Sequence, residues 1–327
     1  MSNASTLSVR VARKTAETAD ICTFELVAEA GGPLPAFSAG SHIDVHVPGI
    51  AGEVGLTRQY SLCNEPTESH RYLIGVLRDP ASRGGSVAMH DAIQEGQLLH
   101  ISAPKNHFAL AHEAQRSLLL AGGIGVTPIL CMAERLALSG AAFEMHYCTR
   151  SRERTAFYER IAHAGFAKQV QFHFDDGEAA QKLDIAQLLR TPSAGLHLYV
   201  CGPKGFMDAV LSSARAQGWP EGQLHYEFFS AEVVKSADDA SFEVKLASSG
   251  RVIRVGADQT VTQALSAAGV EVQTSCEQGV CGTCLTRVLE GVPDHKDMYL
   301  TPEEQAVNDQ FMPCCSRSKT PLLVLDL

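Results

Sequence analysis

Apolar and polar residues alternate with a period of two in short runs through the first third of the chain, at residues 8–12, 21–27, 42–47, 72–77 and 98–102. Gly, Pro, Asp and Asn punctuate the gaps, the signature of a β-rich, barrel-like domain. Residues 85–95 alone in this stretch carry helical spacing. After a polar interlude at 111–116 (Ala-His-Glu-Ala-Gln-Arg) the period changes. Residues 117–121 are apolar almost throughout, as in a strand buried on both faces of a parallel sheet. A helix over 128–139 follows, with Thr127 as N-cap, Pro128 at its first position and Gly140 as its stop. Strands at 144–147, 170–174 and 196–200, a helix over 204–216 and an aromatic strand at 225–230 complete an α/β pattern. Residues 231–240 read as a solvated linker. Beyond it stand a hairpin (242–246 and 251–255), a helix over 261–268, a loop, and a last strand at 322–325. The chain is thus expected to be multidomain: a β-barrel at 1–110, an α/β parallel-sheet domain at 111–230, and an α+β unit of β-grasp size at 241–327.

Composition supports packed cores throughout, with 45% hydrophobic and 20% charged residues in 327. The start lacks a basic segment followed by an apolar one, and no run of eighteen apolar residues occurs. The expectation is a cytoplasmic protein with no membrane partner, whose ten cysteines stay reduced. Cys22, Cys63, Cys131, Cys148 and Cys201 read as inert packed thiols. The net charge of −10 argues against nucleic acid. The charge is unevenly spread: residues 111–230 carry 11 basic and 12 acidic side chains, whereas 241–327 carry 7 and 11. An acidic surface there suits docking on a basic partner and also serves solubility.

The chemistry sits in that last unit. Cys276, Cys281 and Cys284 follow a C-x4-C-x2-C spacing, with Cys314 or Cys315 about thirty residues on, the plant-type ligand spacing of a [2Fe-2S] cluster. Gly279 and Gly282 would let the backbone wrap closely around inorganic sulfide. Structural zinc prefers two closely spaced pairs rather than three cysteines in one loop. Because neighbours in an extended segment point to opposite faces, only one of Cys314 and Cys315 is expected to face the cluster.

Two upstream features ask for a second redox group. Arg58, Tyr60 and Ser61 place a cation, a flat aromatic and a hydroxyl on one strand, and Gly84-Gly85-Ser86 opens the helix at 85–95, where free N–H groups and a positive dipole end suit a phosphate. Together they favour a flavin. In the α/β domain, Gly122, Gly123, Gly125 and Thr127 form a strand–turn–helix for a pyrophosphate, though without the G-x-G-x-x-G fingerprint. Cys201-Gly202-Pro203 ends a second strand at the edge where open α/β sheets bind ligands. A nicotinamide gives two electrons as hydride and a [2Fe-2S] cluster takes one, so a flavin must stand between them.

With all three parts placed, the chain resembles the phthalate dioxygenase reductase family along essentially its whole length. The likeness is carried by Arg58-Gln-Tyr-Ser-Leu, Arg83-Gly-Gly-Ser, Leu120-Ala-Gly-Gly-Ile-Gly-Val-Thr-Pro, Tyr199-Val-Cys-Gly-Pro, the cysteine loop and Cys314-Cys-Ser-Arg-Ser. It implies FMN rather than FAD, with Arg58, Tyr60 and Ser61 at the flavin and Ser86 with its glycines at the phosphate. It implies that Phe229 lies by the isoalloxazine ring and that Cys314 is the fourth ligand. It also implies the order FMN-binding barrel (1–110), NAD(P)H-binding domain (111–230), plant-type [2Fe-2S] ferredoxin (241–327). The implied function is a monomeric reductase component delivering electrons to a terminal Rieske-type oxygenase, an aromatic O-demethylase or dioxygenase. The competing reading is a flavin/iron–sulfur redox sensor or general electron carrier. Thr149-Arg-Ser-Arg-Glu-Arg departs from a clean NADH pattern, since Arg150 or a neighbouring arginine could accommodate the 2′-phosphate of NADPH.

Overall fold

The computed structural model describes residues 6–48, 55–80, 84–229 and 239–327. The linker expected at 231–240 therefore lies, but for its last two residues, outside the described residues. Two compact units result, Met1–Phe229 and Ser230–Leu327.

The first unit opens with β1 (Leu7–Ala16), β2 (Ile21–Ala28), β3 (Ser41–Val47), β4 (Leu56–Ser61), β5 (Tyr72–Leu77), helix α1 (Gly85–Asp91), β6 (Leu98–Ile101) and the short β7 (Lys105–Asn106). The strands run in the order β4-β3-β6-β1-β2-β5, with β7 on β3, and every pairing is antiparallel. A bridge between Leu62 and Ile74 brings the two edges together, so the sheet closes on itself as a barrel. Alternate residues such as Val9, Val11, Phe24, Leu26, Ile43 and Val45 fill its interior, which is why the period of two was visible in the sequence. α1 stops at Asp91, one turn sooner than its pattern suggested, and Ile93 goes into the barrel core.

The rest of this unit is a five-stranded parallel sheet: β8 (Arg116–Gly122), α2 (Val126–Ser139), β9 (Ala142–Thr149), α3 (Tyr158–Ala162), β10 (Val170–Phe174), α4 (Ile185–Leu188), β11 (Leu196–Cys201), α5 (Lys204–Ala216) and β12 (Leu224–Glu227), ordered β10-β9-β8-β11-β12. β8 is central and buried, as its apolar run requires. Gly140 ends α2 in the left-handed conformation at φ 69°, as expected. Thr127 does not cap α2. A 3-10 turn over Gly123–Gly125 runs straight into the helix, so the helix starts at Val126, and the Thr127 hydroxyl donates to the Ile124 carbonyl at 3.1 Å. β12 is shorter than the aromatic run, ending at Glu227, and leaves Phe228 and Phe229 beyond the sheet.

The second unit holds β13 (Phe242–Leu246), β14 (Val252–Val255), α6 (Val261–Ala267), β15 (Thr286–Glu290), β16 (Pro293–Asp294), α7 (Pro302–Val307), β17 (Gln310–Phe311), β18 (Arg317–Ser318) and β19 (Leu322–Leu325). Its main sheet runs β14-β13-β19-β15-β17, and α6 packs its apolar side, through Val261, Ala264 and Leu265, into the same core as Val244, Leu323 and Leu325. Both α6 and α7 begin with a capping box, Thr260 with Gln263 and Thr301 with Glu304.

Candidate functional site

In the second unit the chain between α6 and β15 is an irregular loop that buries Cys276, Cys281 and Cys284, and Cys314 is buried with them. The Cys276 thiol is within hydrogen-bonding reach of Cys281 and of Cys314, and Cys284 is within reach of Cys314. Hydrogen bonds from Cys281 and Cys314, outweighing burial, together with the Gln278 and Val280 backbone amides, hold Cys276 far below the usual thiol range. The contacts join the four thiols in a chain, Cys281 to Cys276 to Cys314 to Cys284. A binuclear cluster takes two thiolates on each iron, so this donor set fits a [2Fe-2S] group.

The segment carrying Cys314 and Cys315 is not extended. Residues Met312 to Ser316 form a tight turn in which the Met312 carbonyl accepts from both Cys315 and Ser316 amides, so strand alternation does not separate the two cysteines. Their contacts do. The Cys315 sulfur lies 3.7 Å from the Met312 carbonyl and 3.7 Å from the Ser316 hydroxyl, and reaches the other four thiols through Cys314 alone. The two glycines also have a wider role than expected. Gly279 and Gly282 both take φ 73°, and a Cβ would stand 2.4 Å from the Cys315 sulfur at Gly279 and 2.4 Å from the Tyr299 ring at Gly282. They admit the covering segment of Asp297 and Tyr299 as well as any sulfide. Asp297 is fixed in turn, accepting from the Leu300 amide at 2.9 Å and the Ser316 hydroxyl at 3.2 Å.

In the first unit β4 carries Arg58, Tyr60 and Ser61 towards the start of α1. A Cβ on Gly85 would lie 2.7 Å from the Arg58 side chain, so the glycine lets Arg58 rest against the helix entrance. Gly84 caps that helix with φ 96° and, being glycine, supplies no side-chain cap of its own. A guanidinium beside a helix entrance capped by glycine is a cradle that fits the phosphate of FMN. The Ser86 hydroxyl accepts from the Asp79 amide at 3.2 Å. Arg83 lies outside the described residues. Burial raises the Tyr60 phenol well above its ordinary range, as for an enclosed aromatic that stays neutral. Phe229 keeps 38% of its surface exposed, so its ring has a face to offer.

One group here went unread in the sequence. Glu227, the last residue of β12, lies 3.4 Å from the Ser61 hydroxyl. Its carboxyl is enclosed although the residue keeps some exposed surface, and burial pushes it up to about 8 against the hydrogen bond from Ser61. Its charge also reaches Cys201, whose thiol burial has already raised. Ser61, Cys201 and Glu227 thus converge from the barrel and from two strands of the parallel sheet, where a sequence motif could not join them.

The Gly-rich turn and the Cys201-Gly202-Pro203 turn meet back to back, because β8 and β11 are paired with Ala121 opposite Cys201. A Cβ on Gly125 would stand 2.3 Å from the Cys201 carbonyl oxygen, and one on Gly202 would stand 3.0 Å from Gly122 Cα. The Phe206 ring, also unread in the sequence, covers both turns, 2.8 Å from where a Cβ on Gly122 or Gly202 would be. Gly123 needs its φ of 51°. Of the arginines after β9, Arg154 pairs with Asp20, and Arg152 lies 4.5 Å from the Tyr158 ring centre and 3.7 Å from Glu159. Arg150 is exposed and makes no side-chain contact among the described residues.

A barrel with a glycine-capped helix entrance, a parallel sheet with paired Gly turns, and a thiol-lined loop define a flavin- and [2Fe-2S]-dependent electron-transfer oxidoreductase. Comparison with known proteins agrees. Residues 244–319 match the 2Fe-2S iron–sulfur cluster binding domain family, and residues 102–224 match the N-terminal domain of the dimethylamine monooxygenase subunit DmmA-like family. The chain is 59% identical to a vanillate O-demethylase oxidoreductase of Pseudomonas putida, covering 97% of this chain and 98% of that one. It is 38% identical to a phthalate dioxygenase reductase of Burkholderia cepacia, over 98% and 97%. A solved phthalate dioxygenase reductase, described as modular for electron transfer from pyridine nucleotides to [2Fe-2S], superposes with a TM-score of 0.77 at 38% identity, covering 98% of each chain. An intact type IV self-sufficient cytochrome P450 monooxygenase superposes with a TM-score of 0.84 at 37% identity, over 98% of this chain and 41% of that one. The chain belongs to the phthalate dioxygenase reductase family.

Proposed function

We propose that this chain is the reductase component of a Rieske-type aromatic oxygenase, an O-demethylase acting on vanillate or a close analogue, and that it works as a cytoplasmic monomer. The four buried thiols, three in the loop after α6 and Cys314 in the turn after β17, carry this reading, because the cluster they would hold gives electrons a one-at-a-time exit. The identity of 59% with a vanillate O-demethylase oxidoreductase supports the choice of partner. Bound FMN would supply the conversion between two-electron and one-electron chemistry.

The chain's own residues position and tune. Arg58 and the first-turn amides of α1, with Gly84, Gly85 and Ser86, hold the FMN phosphate. Tyr60 and Phe229 bracket the isoalloxazine, and Ser61 faces its reactive edge with Glu227 behind it. Gly122, Gly123, Gly125 and Thr127, with Cys201, Gly202 and Pro203, let the nicotinamide nucleotide approach the backbone closely. Cys276, Cys281, Cys284 and Cys314 bind the cluster. NADH is the donor, since Arg152 and Arg154 are engaged elsewhere and Arg150 alone is available to a 2′-phosphate. Asp175 and Asp176, tied by their amides to the Thr149 and Arg150 carbonyls, would oppose such a phosphate. The domains are drawn at 1–110, 111–230 and 241–327.

The test is reconstitution. Purified protein should carry about two irons, two sulfides and one FMN per chain, as the cluster type and site imply, and with NADH should support demethylation of vanillate by the vanillate O-demethylase oxygenase component. Zinc in place of iron, FAD as the flavin released by acid, or NADH oxidation that never reaches an oxygenase would refute it.

A further inference from the structure

The exit route leaves one question open: where an acceptor docks. The strand that leaves the cluster loop, β15, turns Thr286 and Val288 into the core. Its opposite face therefore carries Leu285, Arg287 and Leu289 outward, and the two leucines are 39% and 44% exposed. The chain then turns at Gly291 into Val292, 38% exposed, which edges a recess of about 280 Å³ beside Pro302 and Lys319. Among the described residues of this unit the exposed large aliphatics are Val252, Leu285, Leu289, Val292 and Val307, and Leu285, Leu289 and Val292 lie together on the stretch that directly follows the cluster loop. Isolated exposed aliphatics are ordinary, but a group that starts at the residue after Cys284 is not scattered.

Cations flank the same place. Lys296 and Arg317 are committed to Asp239. Arg287 and Lys319, on either side of the apolar stretch, have no side-chain partner among the described residues. Residues 241–327 carry 7 basic and 11 acidic side chains, and Lys245 and Arg251 beside Val252 are uncommitted as well, so what sets Arg287 and Lys319 apart is the group of exposed leucines they flank.

We infer that Leu285, Arg287, Leu289, Val292 and Lys319 form the docking face for the oxygenase, whose complementary surface presents an aliphatic knob ringed by carboxylates. This rests on the functional reading above. The other possible occupant is the chain's own flavoprotein unit. That unit is tethered, so its high effective concentration makes an adhesive patch unnecessary, whereas a separate oxygenase has to be recognised by its surface alone. A small patch with a cationic rim also suits the brief encounters of electron-transfer partners. A partner seated on Leu285 is brought to the residue beside a cluster ligand.

The test uses the full holoprotein, the vanillate O-demethylase oxygenase component, and three variants: Leu289→Glu, Arg287→Glu, and Val252→Glu on the opposite edge of the sheet as a control. The first two should raise the Kd for the oxygenase about tenfold or more, as loss of a central contact does. The EPR signal of the cluster and the rate of its reduction by NADH should stay at wild-type values, and Val252→Glu should bind normally. Wild-type affinity in both β15 variants, or equal weakening by Val252→Glu, overturns the docking face. So does slowed cluster reduction by NADH with oxygenase affinity unchanged, which would assign the patch to the flavoprotein unit. A wild-type chain that neither binds nor reduces the oxygenase overturns the functional reading itself, and the docking face with it.

Discussion

At the scale of single residues, Cys314 and Cys315 differ through their contacts. Cys314 touches Cys276 and Cys284, while Cys315 is folded against the Met312 carbonyl, the Ser316 hydroxyl and the space above Gly279. Cys315→Ala should therefore keep the EPR signal of the reduced cluster, and Cys314→Ala should lose it or leave it labile. The opposite pattern would exchange the two roles. Glu227 offers a test by pH. Its folded carboxyl titrates at about 8, whereas an exposed glutamate titrates near 4.5, so between those values the folded protein holds a proton that the unfolded chain has released. Stability should fall as pH rises from about 5 to 8. In Glu227→Gln that slope should flatten, making the variant relatively more stable at the alkaline end. Denaturant midpoints measured across this range decide it, and parallel slopes in the two proteins would mean the carboxyl is not held protonated.

At the scale of elements, the β4–α1 junction is where propensity and tertiary contact meet. The Gly-Gly at the entrance of α1 does two things: Gly84 takes a φ of 96°, and Gly85 clears room for Arg58. Arg58→Ala removes a charge-assisted contact worth about 1.5–3 kcal/mol, roughly 10- to 150-fold in affinity. FMN content after dialysis should drop while the cluster's EPR signal is unchanged. Full flavin occupancy would remove Arg58 from the site. At the start of α7 the signal was present but not read: Thr301-Pro302-Glu303-Glu304 spells a capping box with proline at the first position, and the helix is there.

At the scale of the whole molecule, the flavin and nucleotide parts share one compact unit and the cluster has another. Cleaving the chain near Lys235 should leave an N-terminal fragment that still oxidises NADH with ferricyanide and releases one FMN on acid precipitation. That fragment should fail to reduce the oxygenase. Oxygenase turnover by the fragment alone would mean that electrons do not leave through the cluster.

The sequence alone determined the periods of two and of 3.6 that specify barrel, parallel sheet and helices, because each period records which face of an element is buried. It also determined the cysteine loop, whose three thiols are close along the chain and need no fold to be brought near one another. Only the tertiary structure decided what depends on convergence. It brought Ser61, Cys201 and Glu227 together from three strands, pressed Phe206 over two glycine turns, and replaced the expected extended segment at Cys314 with a turn. It also started α2 before Thr127, because the 3-10 turn ahead of it runs straight into the helix. Contacts between residues far apart in the chain leave no periodic trace, since what they require is a distance in space and the sequence records only order.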